Sequence, residues 1–247
     1  MILHRLAARL KQQDWAAVTI EFLLVVAGVF AGIQVANWNE ERKERALETA
    51  YVTRIAEDVR NDVAELNEVI RVSALRMALL NELLPRASGR ELPDGFDSAR
   101  GRITIERVPA YAEAGPNAPA FTLFILTPLS GNRSAYDTMI NAGAIAGMRD
   151  VAALRRIQAY YAAVDRLLHY EVGLEQNRDK VVEAELTMGL SPVDPLSSDQ
   201  LSTAFATSPR LLATAKNYWL YTNRHLKLTR ELQAQARDLA DYLEKSS

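Results

Sequence analysis

Hydrophobic and polar positions divide this chain into stretches of different period. Trp15–Trp38 (WAAVTIEFLLVVAGVFAGIQVANW) is apolar on every face and is broken only by Glu21, Gln34 and a few small polar side chains. As an α-helix it is about 36 Å long at roughly 1.5 Å per residue, enough to cross about 30 Å of hydrocarbon. Trp15 and Trp38 stand at its ends, and indole rings prefer the bilayer–water interface. Two placements are open. In one, Glu21 lies within the hydrocarbon, protonated or paired across a helix interface. In the other the span is Phe22–Trp38, about 17 residues, and Glu21 sits at the interface.

From Asn39 the period changes. Leu47, Tyr51, Ile55, Val59, Val63, Leu66, Ile70, Ser73, Met77, Leu80 and Leu84 recur every three or four residues, with Glu and Arg on the other face. That stripe predicts an amphipathic helix. No Gly or Pro falls between Gly32 and Pro85, so the span and the stripe read as one continuous helix ending near Leu84. The charges over 40–62 read as its solvated face. Residues 1–14 precede the span as a short basic segment. Ile2, Leu3, Leu6 and Leu10 share one face there, with Arg5, Arg9 and Lys11 elsewhere. This pattern fits either a helix lying on an anionic membrane surface or a frayed tail.

Pro and Gly then become frequent, from Gly89 to Pro119, and predict a mostly irregular insertion at about 86–128. Within it Arg102–Val108 alternates as a short strand does. Phe121–Leu129 (FTLFILTPL) is the most apolar stretch outside the span. It reads as a buried strand paired with 102–108 or as a helical plug. Ser134–Ala142 predicts a short helix stopped by Gly143, and Asp150 an N-cap for the next long one. Leu154, Ile157, Tyr161, Val164 and Leu168 form its packing seam. Glu171, Glu175 and Asp179 interrupt that seam near Gly173, and Val182 and Leu186 resume it. Pro192 and Pro195 mark a connection, with a short helix within Leu196–Thr207. Pro209 opens a last helix lined by Leu212, Ala215, Trp219, Thr222, Leu226, Ala236, Leu239 and Leu243. The expected fold is all-α: an N-terminal transmembrane helix, 15–38, continuing into a helical domain, 39–247. That domain is a long-helix antiparallel bundle with helices at about 39–84, 150–188 and 209–244.

Composition alters this picture in two places. Net charge is −2 with no basic cluster, so no nucleic-acid partner is expected. Cysteine is absent, which excludes disulfides, thiol nucleophiles and thiolate metal sites. Charge also bears on orientation. Arg5, Arg9 and Lys11 flank the span on one side; Arg42, Lys43 and Arg45, diluted by Glu40, Glu41, Glu44 and Glu48, flank it on the other. Counting cations alone gives a tie, and the acidic offset puts the N-terminus in the cytoplasm and the large domain across the membrane. Val29-Phe30-Ala31 spells a signal-peptidase site, but the apolar run continues to Ala36, so an uncleaved anchor is expected.

Candidate sites are few. Gly28 and Gly32 form a GxxxG step on the face that carries Glu21, where a second copy of the helix could approach closely. Asp165 and His169 stand at i, i+4, but two ligands are not a metal site. No G-x-S-x-G, P-loop or dinucleotide fingerprint occurs, so no catalytic residue, metal or cofactor is expected. Asn132-Arg-Ser134 is a sequon in spelling only. The polar break is more specific. If the last two long helices pack antiparallel, Glu171, Glu175 and Asp179 meet Lys216, Arg224 and His225 beside Tyr218, Trp219 and Tyr221. This is either an inter-helix polar pocket or an ion-pair layer that fixes register.

Glu21, Gly28, Gln34 and Asn37-Trp38-Asn39-Glu40, followed by a basic–acidic helix, resemble the anchor of an uncharacterised bacterial family. Its members are single-pass, N-terminally anchored helical proteins known only as a domain of unknown function. Ser134-Ala-Tyr-Asp, Asn141-Ala-Gly143-Ala-Ile and the helix with Tyr160-Tyr161 are similar to its middle region. The resemblance implies membrane anchoring and a bacterial source and brings no catalytic residues; with the orientation expected from charge, this places the anchor in the inner membrane and the large domain in the periplasm. Two functions fit: a membrane-tethered interaction or scaffold protein whose partners are the bilayer and an envelope protein, or a ligand-sensing bundle that signals through a partner.

Overall fold

The computed structural model describes residues 15–99, 101–112 and 118–246. The basic segment 1–14 lies outside them. Among the described residues six α-helices carry most of the chain. They are α1 (Trp15–Ser88), α2 (Ala118–Phe124), α3 (Ser134–Asn141), α4 (Val151–Leu186), α5 (Ser198–Thr207) and α6 (Pro209–Ser246). A two-stranded antiparallel hairpin, β1 (Gly95–Ser98) and β2 (Gly101–Thr104), and a 3₁₀ turn at Ala144–Gly147 complete it. The fold is all-α, as the periodicity predicts.

The chain divides into two units, Met1–Ala50 and Tyr51–Ser247. In the first, the described residues are helical from Trp15. The apolar window of this helix is long enough and apolar enough to cross a membrane, and none of it is buried. Phe22 and Leu24 are 66% and 68% exposed. An added Cβ at Gly28 or Gly32 would meet nothing within 4 Å. At the window's end the Arg42 guanidinium lies 5.9 Å from the Trp38 ring.

The second unit is a bundle of α1 (from Tyr51), α4 and α6. Side-chain pairs fix the directions. Arg60 meets Glu244, Ser73 meets His225 and Asn81 meets Trp219, so α6 runs antiparallel to α1. Arg156 meets Asp238 and Arg210 meets Glu183, so α6 runs antiparallel to α4 as well. Hence α1 and α4 run parallel, and residues 89–150 return the chain to the end where α4 begins. Pro85 does not end α1. The helix continues one turn to Ser88, whose hydroxyl donates to the Leu84 carbonyl at 2.7 Å, and the amide of Gly89 closes on the Pro85 carbonyl. A proline in the last turn removes one ladder bond without breaking the helix below it.

Two apolar cores form. One gathers Ile55, Val59 and Leu66 with Ile157, Val164, Leu232 and Leu239. The other gathers Leu79, Leu80 and Leu83 with Val181, Leu211 and Phe205. Phe121–Leu129 is not a strand: its first residues close α2, and 125–133 is irregular chain without a partner strand among the described residues. Arg102–Val108 supplies β2 only as far as Thr104, paired with β1.

Backbone without a partner strand needs other hydrogen-bond partners when it packs against helices. Helical side chains provide them. The Leu129 amide donates to Glu171, the Ser130 amide to Glu65 at 2.8 Å and the Asn132 amide to Asp62. Asp58 accepts from the Asn132 side chain and from the Ala135 amide at the start of α3. Asp62 is 2% exposed and also accepts from Tyr160 Oη at 2.6 Å. Burial raises its pKa, and these bonds oppose the rise. Tyr161 stacks on Tyr136 at 4.2 Å, and Arg133 covers both rings while pairing with Asp165. Gly131, with φ 63°, lets the chain turn where a Cβ would press within 3.1 Å of Val164. A buried carboxylate with several partners is costly to delete. Asp62→Ala is expected to lower unfolding stability by about 2–3 kcal/mol, leaving Tyr160 and the Asn132 amide without an acceptor. Denaturant titration of the full-length chain checks this, and an unchanged midpoint contradicts it.

Candidate functional site

Between the two apolar cores the bundle is polar. Ser73 and Arg76 on α1, Glu171 on α4 and His225 on α6 meet there, beside the irregular chain at 125–129. The residues come together because each long helix breaks its apolar stripe at the same level. Ser73 and Arg76 interrupt α1 between Leu66 and Met77, Glu171 interrupts α4 between Leu167 and Leu174, and Thr222 to His225 precede Leu226 on α6.

His225 is 2% exposed. Its Nδ1 lies 2.9 Å from Ser73 Oγ and its Nε2 lies 3.1 Å from Glu171 Oε1. Burial lowers its pKa, and the Glu171 carboxylate opposes that in part. A neutral imidazole fits both contacts: Ser73 donates to Nδ1 and Nε2–H donates to Glu171. Serine, histidine and glutamate in this order resemble a nucleophile and its base. Ser73, however, is 1% exposed in mid-helix, where the neighbouring amides are consumed by the helix ladder. Ser73 does not line the cleft described below, whereas Arg76 and His225 do. The chain of bonds joins three helices at one level.

Arg76 is the unusual group. It is 1% exposed. Nη2 donates to the Ile125 carbonyl at 2.5 Å, and the guanidinium lies 5.6 Å from the Tyr218 ring. Nε and Nη1 have no partner among the described residues. Burial depresses its pKa, Tyr218 opposes this and Arg178 adds to it. A guanidinium nonetheless stays protonated in a protein. Arg76 helps line a cleft of about 380 Å³ with Leu126–Pro128, Leu168, Glu171, Val172, Glu175, Arg178 and His225.

The expected pocket residues divide around this cleft. Glu171 and His225 are joined within it. Glu175 lines it but is exposed, paired with Arg178 at 3.1 Å. Asp179 holds the same Arg178 at 2.7 Å. Arg224 is exposed. Trp219 is buried elsewhere, donating from Nε1 to Asn81 at 2.7 Å and meeting Phe96 edge-on at 6.1 Å. Gly173 lets Tyr221 pack close, at 3.0 Å from where a Cβ would sit. Arg76, Ser73 and Arg178 were absent from the expected set. The available signal was the break in the α1 stripe at Ser73, three residues before Arg76 and opposite the break in α4.

Glu21, Gly28 and Gly32, the expected helix-packing face of the apolar segment, are all exposed. Asp165 is joined to Arg133. Among the described residues no three His, Asp or Glu side chains are placed to hold a metal ion.

An all-α bundle with a polar layer and one unburied apolar helical segment defines the structural class. Residues 21–184 match the model of a family of unknown function (DUF6090), and the chain belongs to that family. The matched region includes Arg76, Glu171 and the irregular chain between them and ends before α6. No curated protein and no solved structure matches the chain.

Glu185 is another buried ionisable group with an unsatisfied atom: it is 3% exposed and its Oε1 has no hydrogen bond. Burial raises its pKa from 4.5 to about 7. The folded state therefore binds the proton more tightly than the unfolded one. The penalty for burying its charge is absent below about pH 4.5, grows up to about pH 7 and is complete above that. Glu185→Gln is expected to gain up to about 3 kcal/mol of stability at pH 8 and almost none at pH 4. Unfolding of both proteins across this range measures the difference, and a gain independent of pH contradicts the assignment.

Proposed function

We propose that this protein is a membrane-tethered helical interaction protein without catalytic chemistry. The first part of α1 spans the bacterial inner membrane once, with the N-terminus in the cytoplasm and the bundle in the periplasm. The observation that carries this reading is the apolar window of α1, no part of which is buried. A core helix of a water-soluble domain hides such a face, and a helix apolar all round belongs in lipid. Trp38 under Arg42 fits the end of a span at the headgroup level. The Gly28–Gly32 face with Glu21 is the surface proposed for helix–helix association, either with a second copy or with an envelope protein.

A second reading, a ligand-sensing bundle acting through a partner protein, is favoured by the buried Arg76 beside an open cleft. A sensor needs an output, and a partner would have to supply it.

Two measurements test the anchor. Alkaline carbonate should leave the full-length chain in the membrane pellet, and detergent should release it. Val26→Arg combined with Val29→Arg should shift it to the soluble fraction, since each central charge costs about 2.5–3.5 kcal/mol on insertion. Wild-type protein extracted by carbonate defeats the reading. A reporter fused after Ser247 should be active only if it is a periplasmic-type enzyme; activity of a cytoplasmic reporter reverses the orientation.

A further inference from the structure

We propose that the cleft between α1, α4 and the 125–128 segment binds a small organic carboxylate with an apolar body, its anionic head held by Arg76. This deepens the ligand-sensing reading and rests on it; the anchor and the interaction reading stand without it.

The argument begins with an imbalance. Nε and Nη1 carry three of the five N–H donors of a guanidinium. In Arg76 both nitrogens are buried and lack an acceptor. Among the described residues no carboxylate forms an ion pair with Arg76; Glu171, on the same cleft, is spent on His225 and the Leu129 amide. A buried cation without a counter-charge costs several kcal/mol, and a paired one far less. The Ile125 carbonyl and the Tyr218 ring offset only part of that cost. An anion from solution supplies what the chain does not.

The walls narrow the class of anion. Glu171 and Glu175 also line the cleft, so a dianion such as phosphate meets repulsion there. A monoanion matches the single uncompensated charge. Leu126, Pro128, Leu168 and Val172 make the remaining surface largely apolar, which suits an aliphatic or aromatic body rather than a bare halide. The volume, about 380 Å³, falls within the range of small-molecule sites. Arg178 stands at the same cleft with its charge already shared between Glu175 and Asp179, and its guanidinium lies 5.3 Å from the Phe124 ring. It forms part of the wall and leaves Arg76 as the anchor.

The test uses the full-length chain in nanodiscs of phosphatidylcholine, followed by calorimetric titration and thermal melting. The probes are hexanoate and benzoate, with hexanol, benzyl alcohol, sodium chloride and sodium phosphate as controls. At least one carboxylate should bind saturably and raise Tm, and its neutral counterpart should do neither. Arg76→Lys should weaken binding by about tenfold or more, because the planar fork is lost while the charge remains. Val172→Trp, at an exposed position on the cleft wall, should abolish binding while Arg76 stays in place. This second variant keeps the proposal testable if Arg76 variants do not fold. Binding that survives both substitutions overturns the proposal. So does an equal response to chloride or phosphate, which marks an unselective anion effect, and so does the absence of binding by both carboxylates. Fractionation by carbonate reads the anchor independently, so failure of one does not imitate failure of the other.

Discussion

Backbone hydrogen bonding without a sheet is the constraint on which the helical domain depends. Residues 125–133 pass beside the long helices as irregular chain, and no described strand accompanies them. Each peptide group packed against the bundle must find a side chain or lose more than the packing returns. The helices answer with a ladder made from side chains: Arg76 at Ile125, Glu171 at Leu129, Glu65 at Ser130, Asp62 and Asp58 at Asn132 and Ala135. Polar residues that would otherwise disrupt a helical core are thereby its organising elements. The same device pins the hairpin side of the domain. Asn223 takes the Glu106 amide and donates to the Thr104 carbonyl, while Arg230 holds the Glu106 carboxylate at 2.5 Å.

One part of this ladder also separates the two apolar cores. Arg76 and Glu171, which serve Ile125 and Leu129, share a level with Ser73 and His225, and there the apolar stripes are interrupted on all three helices. His225 links the helices, contacting α1 through Ser73 and α4 through Glu171. Sliding any helix by one turn would strand these groups. The layer therefore supplies register, while the apolar residues on either side supply most of the driving force.

Helices were legible in the chain because their stripes have the right period and their ends carry the right residues. Asp150 accepts from the Ala153 amide as an N-cap should, and Gly143 takes a left-handed φ of 69° just past α3. The polar break in α4 was legible for the same reason: acids stood where the seam required apolar groups. Arg76 was not. It sits among the charges of a strongly charged helix, and periodicity alone does not distinguish an arginine pointing to solvent from one buried against a carbonyl. The relative direction of α1 and α4 was hidden as well, because it depends on how far residues 89–150 travel before α4 begins. The path of 125–133 followed no period, since its partners are side chains from distant positions.

The last helix carries a consequence for how this protein is made. α6 contributes to both cores and provides His225, Asn223 and Arg230 to the polar contacts. Neither core closes until residues 209–246 are present. During synthesis the apolar first part of α1 leaves the ribosome long before them. The earlier helices therefore wait for α6 before either core can close. The region 21–184 that matches the family model accordingly lacks the helix that contributes to both cores. Closure of the domain rests on the 38 residues of α6.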